Sequence, residues 1–217
     1  MDWFTSDLHI NHITCLRHRP FDSMEAMNST IMDAFDCVGR GDRVFMLGDL
    51  SWDESSIREL FERLLKKKAI LFWIMGNHDK ELFKKIEYPN LFKYQTLLVR
   101  GWGDYQPLFL SHYPQLIYDK SHNGAYQLHG HGHLDTIDVP ILQNIDFGKR
   151  LNVNIEFHGF KLWSRDEVEE YMKSKPVNLD YVLLHGTPEE QAKVKDALLE
   201  IRAITDRLNK EIANGNN

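Results

Sequence analysis

Five short segments of this chain carry carboxylate, amide and imidazole side chains, and together they predict a site for two metal ions. Most of the segments lie beside a glycine or directly after an apolar run. Carboxylate and imidazole donors suit divalent transition metals such as manganese, iron and zinc. Two adjacent ions that share one carboxylate can hold the attacking and leaving oxygens of a phosphate ester in line. In chain order, the segments are Asp7-Leu8-His9, Gly48-Asp49, Gly76-Asn77-His78-Asp79, Ser111-His112 and Gly130-His131-Gly132-His133.

Each segment taken alone has an ordinary alternative explanation. An aspartate after a strand, such as Asp7, is often a helix cap, and Gly48-Asp49 is a common turn. His131 and His133 are the most specific pair, because flanking glycines let two imidazoles one residue apart turn toward one point. The combination and order of all five segments favour metal ligation over these alternatives.

The elements that must position these residues alternate between strand and helix in the first half of the chain. Apolar runs at 3–6, 44–47 and 69–75 read as buried strands, and helical spacing of apolar residues predicts helices over 24–38 and 51–68. This alternation predicts a parallel sheet with crossover helices. Each of the three strands leads straight into a candidate ligand, where sites form in such sheets.

The second half of the chain is richer in strand signals. We predict strands over 94–99, 107–110, 125–128 and 151–157, and a short helix that begins at the capping box of Ser164 and Glu167. Thr187, Pro188 and Glu190 predict a second helix start, with the helix continuing to about residue 212 and a disordered end at 213–217. The apolar stripe of this terminal helix either packs on the domain or pairs with another copy of the chain.

Composition restricts the class of protein. The chain has 217 residues, a formal net charge of -6 and a pI of about 6.0, which argues against general nucleic-acid binding. A nucleotide substrate stays possible, because bound dications would reverse the charge of the cleft. Without an export signal or a membrane-spanning apolar run, the two cysteines, Cys15 and Cys37, are expected as free thiols in a cytoplasmic protein with no membrane partner.

The order D-x-H, G-D, G-N-H-D, H, G-H-x-H resembles the signature of the calcineurin-like metallophosphoesterases over residues 2–160. Arg19-Pro20-Phe21 and Asn152-Val153 are similar to a subgroup of small bacterial and phage phosphoesterases. The resemblance implies an α/β fold, a four-layer αββα sandwich with the metals at one edge of its two sheets. We therefore expect a phosphoesterase domain over 1–186 and a C-terminal helix with a disordered end over 187–217.

The resemblance also implies a role for each ligand. Asp7, His9 and His133 would hold the first metal, Asn77, His112 and His131 the second, and Asp49 would bridge them. His78 would be catalytic, because it would face the substrate and protonate the leaving alkoxide or stabilise the transition state. A nearby carboxylate, Asp79, would keep that imidazole oriented. Manganese is the first expectation for the metals, and iron, zinc, nickel or cobalt would also suit these donors.

Four further residues are candidates for substrate contact. Asn11 and His12 follow the first motif and either line the cleft, support the ligands or belong to the loop surface. Arg17 and Arg19 lie in a small basic cluster that either grips the phosphate or forms a solvated loop. Trp52, just after the bridging motif, either stacks on a base or belongs to the rim of the core.

The predicted function is a metal-dependent phosphodiesterase that hydrolyses a small, possibly cyclic, nucleotide diester through a hydroxide held between two ions. A phosphomonoesterase or pyrophosphohydrolase is the second candidate. A third is a non-catalytic metal-binding interaction module, which His78 argues against, since such modules lose catalytic groups. The expected partners are the small phosphoester and, through the terminal helix, a second copy of the chain.

Overall fold

The computed structural model of the chain describes residues 1–101, 103–133 and 148–215, and its strands form two mixed sheets. The strands are β1 Asp2–Thr5, β2 Arg43–Met46, β3 Ile70–Ile74, β4 Leu91–Tyr94, β5 Thr96–Val99, β6 Leu108–Ser111, β7 Tyr126–His129, β8 Arg150–Asn152 and β9 Trp163–Ser164. The first sheet has the order β4-β3-β2-β1-β9, with β1 to β4 parallel and β9 antiparallel to β1. The second has the order β5-β6-β7-β8, in which β5 is antiparallel to β6 and the other pairs are parallel.

The helices follow the apolar spacing of the sequence. In the best example, Ile57, Leu60, Phe61 and Leu64 are all buried on one face, and the helix begins where the Asp53 side chain accepts a hydrogen bond from the Ser56 amide. The helices are α1 Ile13–Leu16, α2 Met24–Asp33, α3 Glu54–Lys66, α4 Lys80–Lys85, α5 Arg165–Lys173, α6 Leu179–His185 and α7 Pro188–Gly215, with 3-10 helices at Ala34–Cys37, Ser121–Asn123 and Ile155–His158.

Three apolar clusters hold the layers together. The first joins α2 and α3 to one face of the first sheet, where Val44 and Met46 are buried. The second lies between the sheets, where Phe45 packs with Leu110 and Leu128. The third covers the outer face of the second sheet. Helix α6 contacts the 3-10 helix at Ser121–Asn123 on that side. The predicted sandwich of two sheets flanked by helices is confirmed.

Several predicted boundaries differ from the structure. Residues 94–99 are not one strand, because Gln95 separates β4 from β5 and these strands belong to different sheets. The strand predicted at 151–157 ends at Asn152, since the Asn154 side chain accepts from the Glu156 amide and begins a 3-10 helix. The helix predicted over 24–38 becomes a 3-10 helix after Asp33. Helices α1, α4 and α6 were not predicted.

The terminal helix begins as predicted, with reciprocal bonds between Thr187 and Glu190. It continues to Gly215, beyond the predicted end at 212, so residues 213–215 are helical where disorder was expected; residues 216 and 217 lie outside the described part. The helix contacts α6, and its stripe residues Val194, Leu198 and Ile201 are half-buried. The domain division at residue 186 stays a prediction. Among the described residues, no helix combines the length and apolar character needed to cross a membrane.

Candidate metal centre

The predicted ligands meet where the strands of both sheets end. The segments that follow β1 and β2 stay paired with each other. The Asp7 amide donates to the Gly48 carbonyl at 2.9 Å, and the His9 amide donates to the Asp49 carbonyl at 3.0 Å. The second sheet ends in the same way, with the Gly130 amide donating to the His112 carbonyl at 2.9 Å. An isolated bridge between Ser6 and Asn154 links the two edges. The backbone thus holds four of the five motifs at one edge of the sandwich, and the Asp79 side chain joins the third motif to them by accepting from the Asp49 amide at 2.9 Å.

Four of the seven predicted ligands have a left-handed backbone conformation. Their φ angles are 54° for Asp7, 49° for His9, 56° for Asp49 and 67° for His131. This conformation costs of order 1–3 kcal/mol per non-glycine residue, and it persists only where the surrounding structure imposes it. The left-handed conformation therefore redirects the backbone at these four ligands, just past the strand ends.

The first group of donors contains Asp7, His9 and His133. The two Nε2 atoms of His9 and His133 lie 3.2 Å apart, and each lies 3.8 Å from the Asp7 Oδ1 atom. Asp7 and His9 are buried, and His133 is exposed. These three side chains present one oxygen and two nitrogens to a common point.

The second group contains Asn77, His112 and His131. The Asn77 Oδ1 atom lies 2.9 Å from His112 Nε2 and 3.0 Å from His131 Nδ1. Asp49 stands between the groups, because its Oδ2 atom is 3.8 Å from His9 Nε2 and 3.5 Å from His112 Nε2. The structure brings these side chains together in the two predicted groups with Asp49 between them, and their roles as metal ligands stay a prediction.

The donor set fits divalent metal ions. Ligands about 2.1 Å from a common ion lie about 3.0–3.4 Å from each other. The separations of 2.9, 3.0 and 3.2 Å lie close to this range, and the two to Asp7, at 3.8 Å, are wider. Nδ1 of His112 donates to the Leu47 carbonyl at 2.8 Å, so its Nε2 atom faces both the Asn77 oxygen at 2.9 Å and the Asp49 carboxylate at 3.5 Å. These three side chains therefore converge on a point that a cation could occupy.

Burial sets the protonation states of Asp7 and His9. It raises the pKa of Asp7 to about 6 and lowers the pKa of His9 to about 3. Burial also opposes ionisation of Asp49, but hydrogen bonding and charge from His112 hold the pKa of that carboxyl below its usual value. Near neutral pH the carboxylates are charged and His9 is neutral, which are the forms that bind metals.

A second set of residues orients the ligands, and sequence analysis missed its main member. The Glu156 Oε1 atom lies 3.2 Å from His133 Nδ1 and accepts from Arg19 Nε at 2.7 Å. Asn152 donates to the Gly132 carbonyl at 2.9 Å and so fixes the loop between His131 and His133. Glu156 carries no signal in the sequence, because it comes close to His133 only through the bridge between the sheets.

The motif glycines allow close approach of ligand carboxylates. A Cβ atom at Gly76 would lie 2.2 Å from the Asp49 Oδ1 atom, and one at Gly130 would lie 2.4 Å from the Asp7 Oδ2 atom. No side chain fits at such distances. These two glycines therefore make room for the carboxylates.

The structure separates the two predicted catalytic residues. The His78 side chain is exposed, and its ring centroid lies 5.6 Å from that of His9. Asp79 is buried, and its carboxylate accepts from Trp73 Nε1 and the amides of Asp49, Leu50 and Gly76, all at 2.8–3.0 Å. Within the described part of the chain, the Asp79 carboxylate forms no hydrogen bond with the His78 ring. Asp79 therefore does not orient that imidazole as expected. It holds the turns that carry Asp49 and Asn77.

Two of the four residues predicted to contact the substrate form hydrogen bonds within the protein instead. Arg19 is only 6% exposed, and besides Glu156 it donates to the carbonyls of Asp7 and Leu8, both at 2.7 Å. It supports the first motif from behind and does not face the cleft. The Asn11 amide donates to Asp53 at 2.6 Å and to Ser56 at 2.8 Å, which ties the first motif to the start of α3.

His12 remains at the cleft, and Arg17 is exposed beyond it. The His12 ring stacks on Trp52 with 4.3 Å between centroids and parallel planes. Trp52 is 54% exposed and its ring lies 5.1 Å from that of His78. Trp52 and His12 therefore form an aromatic wall beside the exposed histidine.

Comparisons with known proteins agree with this architecture. An uncharacterized protein of Methanocaldococcus jannaschii is 29% identical to this chain, and the match covers 83% of this chain and 88% of the length of that protein. The gene 66 protein of Mycobacterium phage L5 is 28% identical over 76% of this chain and 91% of its own. A probable cyclic nucleotide phosphodiesterase of Coxiella burnetii is 34% identical over 49% of this chain and 42% of its own.

Similarity extends to a solved structure and to a family model. The crystal structure of a protein of unknown function from Aquifex aeolicus has a TM-score of 0.60 at 22% identity, and the match covers 79% of this chain and 98% of that one. The model of the family described as calcineurin-like phosphoesterase matches residues 3–211. The chain therefore belongs to the calcineurin-like phosphoesterases, a family of metal-dependent phosphoric ester hydrolases.

Proposed function

We propose that this chain is a two-metal phosphodiesterase that acts on a small nucleotide diester, cyclic diesters included. The observation that carries the proposal is the pair of donor groups that share the Asp49 carboxylate. Two divalent ions bound there would supply Lewis-acid stabilisation of the phosphoryl oxygens and a water nucleophile acidic enough to ionise near neutral pH. Manganese is the proposed metal, and iron, zinc, nickel and cobalt suit the same donors.

The ligands have divided roles in this proposal. Asp7, His9 and His133 hold one ion, and Asn77, His112 and His131 hold the other. Asp49 serves both, and its second oxygen accepts from the His78 amide at 2.9 Å. That bond places the start of the His78 side chain next to the shared carboxylate.

His78 is the proposed proton donor to the leaving alkoxide. Its ring is exposed at the cleft beside His9, His12 and Trp52. A protonated imidazole can donate a proton to an oxygen that leaves with negative charge. Trp52 offers a flat apolar surface next to it for the departing group.

A diester is favoured because surfaces for organic groups flank both donor groups. The wall of His12 and Trp52 lies on the side of the first group, and a cavity lined by Tyr113 and Gln115 opens on the side of the second. A diester carries two organic groups on phosphorus, and a monoester carries one. The partial similarity to a probable cyclic nucleotide phosphodiesterase points the same way.

The decisive experiment compares bis-p-nitrophenyl phosphate with p-nitrophenyl phosphate in protein loaded with Mn²⁺, beside elemental analysis. We expect faster hydrolysis of the diester and about two bound ions per chain. Preference for the monoester would support the phosphomonoesterase or pyrophosphohydrolase alternative. A fully loaded protein that hydrolyses neither ester would indicate the non-catalytic binding module. For a diester whose leaving group is an alkoxide, such as a cyclic nucleotide, His78→Ala should lower kcat about 10²–10⁴-fold.

Two further parts of the proposal concern the whole protein. The half-buried stripe of α7 is a candidate homodimer surface, which light scattering of the full chain would test. A cytoplasmic location is proposed because Cys15 and Cys37 are free thiols. Arg17 is kept as a candidate phosphate contact, since it is exposed and follows the first motif in the chain.

A further inference from the structure

A cavity of about 370 Å³ opens directly beside the second donor group. It shares Asn77 and His112 with the candidate metal centre, so any molecule in it would adjoin the reacting phosphorus. Its volume lies within the range of small-molecule sites in proteins. Beyond these two ligands, its main polar and aromatic lining residues are Lys80, Gln95, Thr96, Tyr113 and Gln115.

The cavity exists because the two sheets diverge at this edge. Gln95 is the single residue between β4 of the first sheet and β5 of the second, and Thr96 pairs with Ser111 of β6. The turn after β3 forms one side, and the loop after β6 forms the other. A crevice outside strand ends, where neighbouring strands lead in different directions, is a general location for ligands in α/β proteins.

The polar groups in the cavity are free to bind a ligand. The Gln95 amide makes a single recorded contact, a weak one to the Met75 sulfur at 3.5 Å. Among the described residues, no hydrogen bond or ion pair is recorded for the side chains of Lys80 and Gln115. The Tyr113 ring is 48% exposed and lies edge-on to His131, 4.6 Å between centroids. The cavity thus offers amide donors and acceptors, one ammonium group and an aromatic surface.

We propose that, when the substrate is an open-chain nucleotide diester, this cavity binds the nucleoside that stays on phosphorus, while the aromatic wall beside His78 receives the group that leaves. This inference rests on the proposed phosphodiesterase function. A nucleobase has an edge of alternating donors and acceptors that amides can match, and a flat face that can pack on Tyr113. Lys80 supplies a positive charge near a ligand that retains its phosphate.

The assignment follows from which donor group each surface adjoins. His78 and Trp52 lie beside His9 of the first group, and the cavity lies beside His112 of the second. In the hydrolysis, a water oxygen forms a bond to phosphorus and the bond from phosphorus to the leaving oxygen breaks. The leaving alcohol takes a proton, and the nucleoside phosphate remains as the product in the cavity.

Two substrates with the same leaving group test the inference. Thymidine 5′-p-nitrophenyl phosphate and ethyl p-nitrophenyl phosphate both release nitrophenolate, and they differ only in the group that is retained. We expect the Mn²⁺-loaded protein to prefer the thymidine ester. In Gln95→Met and Lys80→Met, the ratio of kcat/KM for the thymidine ester to kcat/KM for the ethyl ester should fall by about 3- to 10-fold. The matched control is Lys66→Met, an exposed lysine on α3, which should leave the ratio unchanged.

A binding measurement separates failure of this inference from failure of the proposed function. Thymidine 5′-phosphate should raise the melting temperature of the Mn²⁺-loaded wild-type protein more than ethyl phosphate does, and Gln95→Met should abolish the difference. Active protein with the same substrate ratio and the same melting shift in the wild type and both variants would overturn the cavity assignment alone. Protein that binds two ions and hydrolyses neither ester would overturn the proposed function. In that case, a preserved thymidine-specific shift that Gln95→Met removes would still support the cavity as a nucleotide site.

Discussion

Glu156 offers the sharpest test of how the candidate centre is built, because Glu156→Gln changes one charge and almost no shape. Its carboxylate lies 3.2 Å from His133 Nδ1, and Arg19 donates to the same oxygen at 2.7 Å. Burial opposes ionisation of this group, yet the bonds to His133 and Arg19 hold its pKa below the usual value. The charged carboxylate therefore faces the imidazole at neutral pH and makes His133 a stronger donor.

The expected magnitude follows from the geometry. The glutamine carbonyl oxygen can still accept from both partners, as one carboxylate oxygen does now, but the negative charge is lost. A carboxylate behind a metal-bound imidazole contributes about 10- to 100-fold to metal affinity. Since His133 belongs to the first donor group alone, we expect one of two Mn²⁺ affinities to fall about 10-fold and the other to change little.

Calorimetric titration of metal-free protein with Mn²⁺ measures both affinities. Glu170→Gln is the matched control, since Glu170 is an exposed surface residue paired with Lys173 on α5, and we expect no change in either affinity. Equal loss at both sites, or no loss at either, would refute the assignment of His133 and Glu156 to one of two separate donor groups.

Three further predictions follow from single residues. Asp79→Asn should lower the free energy of unfolding by about 3 kcal/mol, because an amide nitrogen would face N–H donors that the carboxylate now satisfies; urea unfolding beside the exposed control Asp119→Asn measures this, and equal losses in both would contradict it. Asp53 caps α3, and bonds that include Ser55 and Asn11 outweigh its burial and lower its pKa to about 2. A lowered carboxyl pKa gives stability that is present above about pH 4 and lost as the pH falls toward 2. The free energy of unfolding of the wild type should therefore exceed that of Asp53→Asn by an amount that shrinks by about 1–2 kcal/mol between about pH 5 and pH 2. A difference that stays constant with pH would count against this prediction. Trp52→Ala should raise KM for bis-p-nitrophenyl phosphate about 5-fold or more, whereas Trp52→Phe keeps a stacking surface and should raise it less; equal KM values in both variants would argue against the aromatic wall.

The order of the elements in the first half of the chain could be predicted because their signals are local. Alternating apolar strands and amphipathic helices indicated a parallel sheet, and the polar residues just past the strand ends indicated a site at its edge. The capping residues of α5 and α7 were predicted for the same reason, since a cap involves residues only three apart. The crossing between sheets at Gln95 could not be predicted, because one residue carries no periodicity.

The identity of the donor set was determined by the sequence alone, through residue types that bind metals and a characteristic order. Which polar residues face the cleft was decided only by the tertiary structure. Arg19 was predicted to contact the substrate and Asp79 to assist catalysis, yet both side chains form hydrogen bonds with buried backbone groups. Glu156, which has no motif, reaches His133. The physical reason is that a side chain's role depends on which unpaired donor or acceptor lies within about 3 Å of it. Folding brings those partners from segments far apart in the chain.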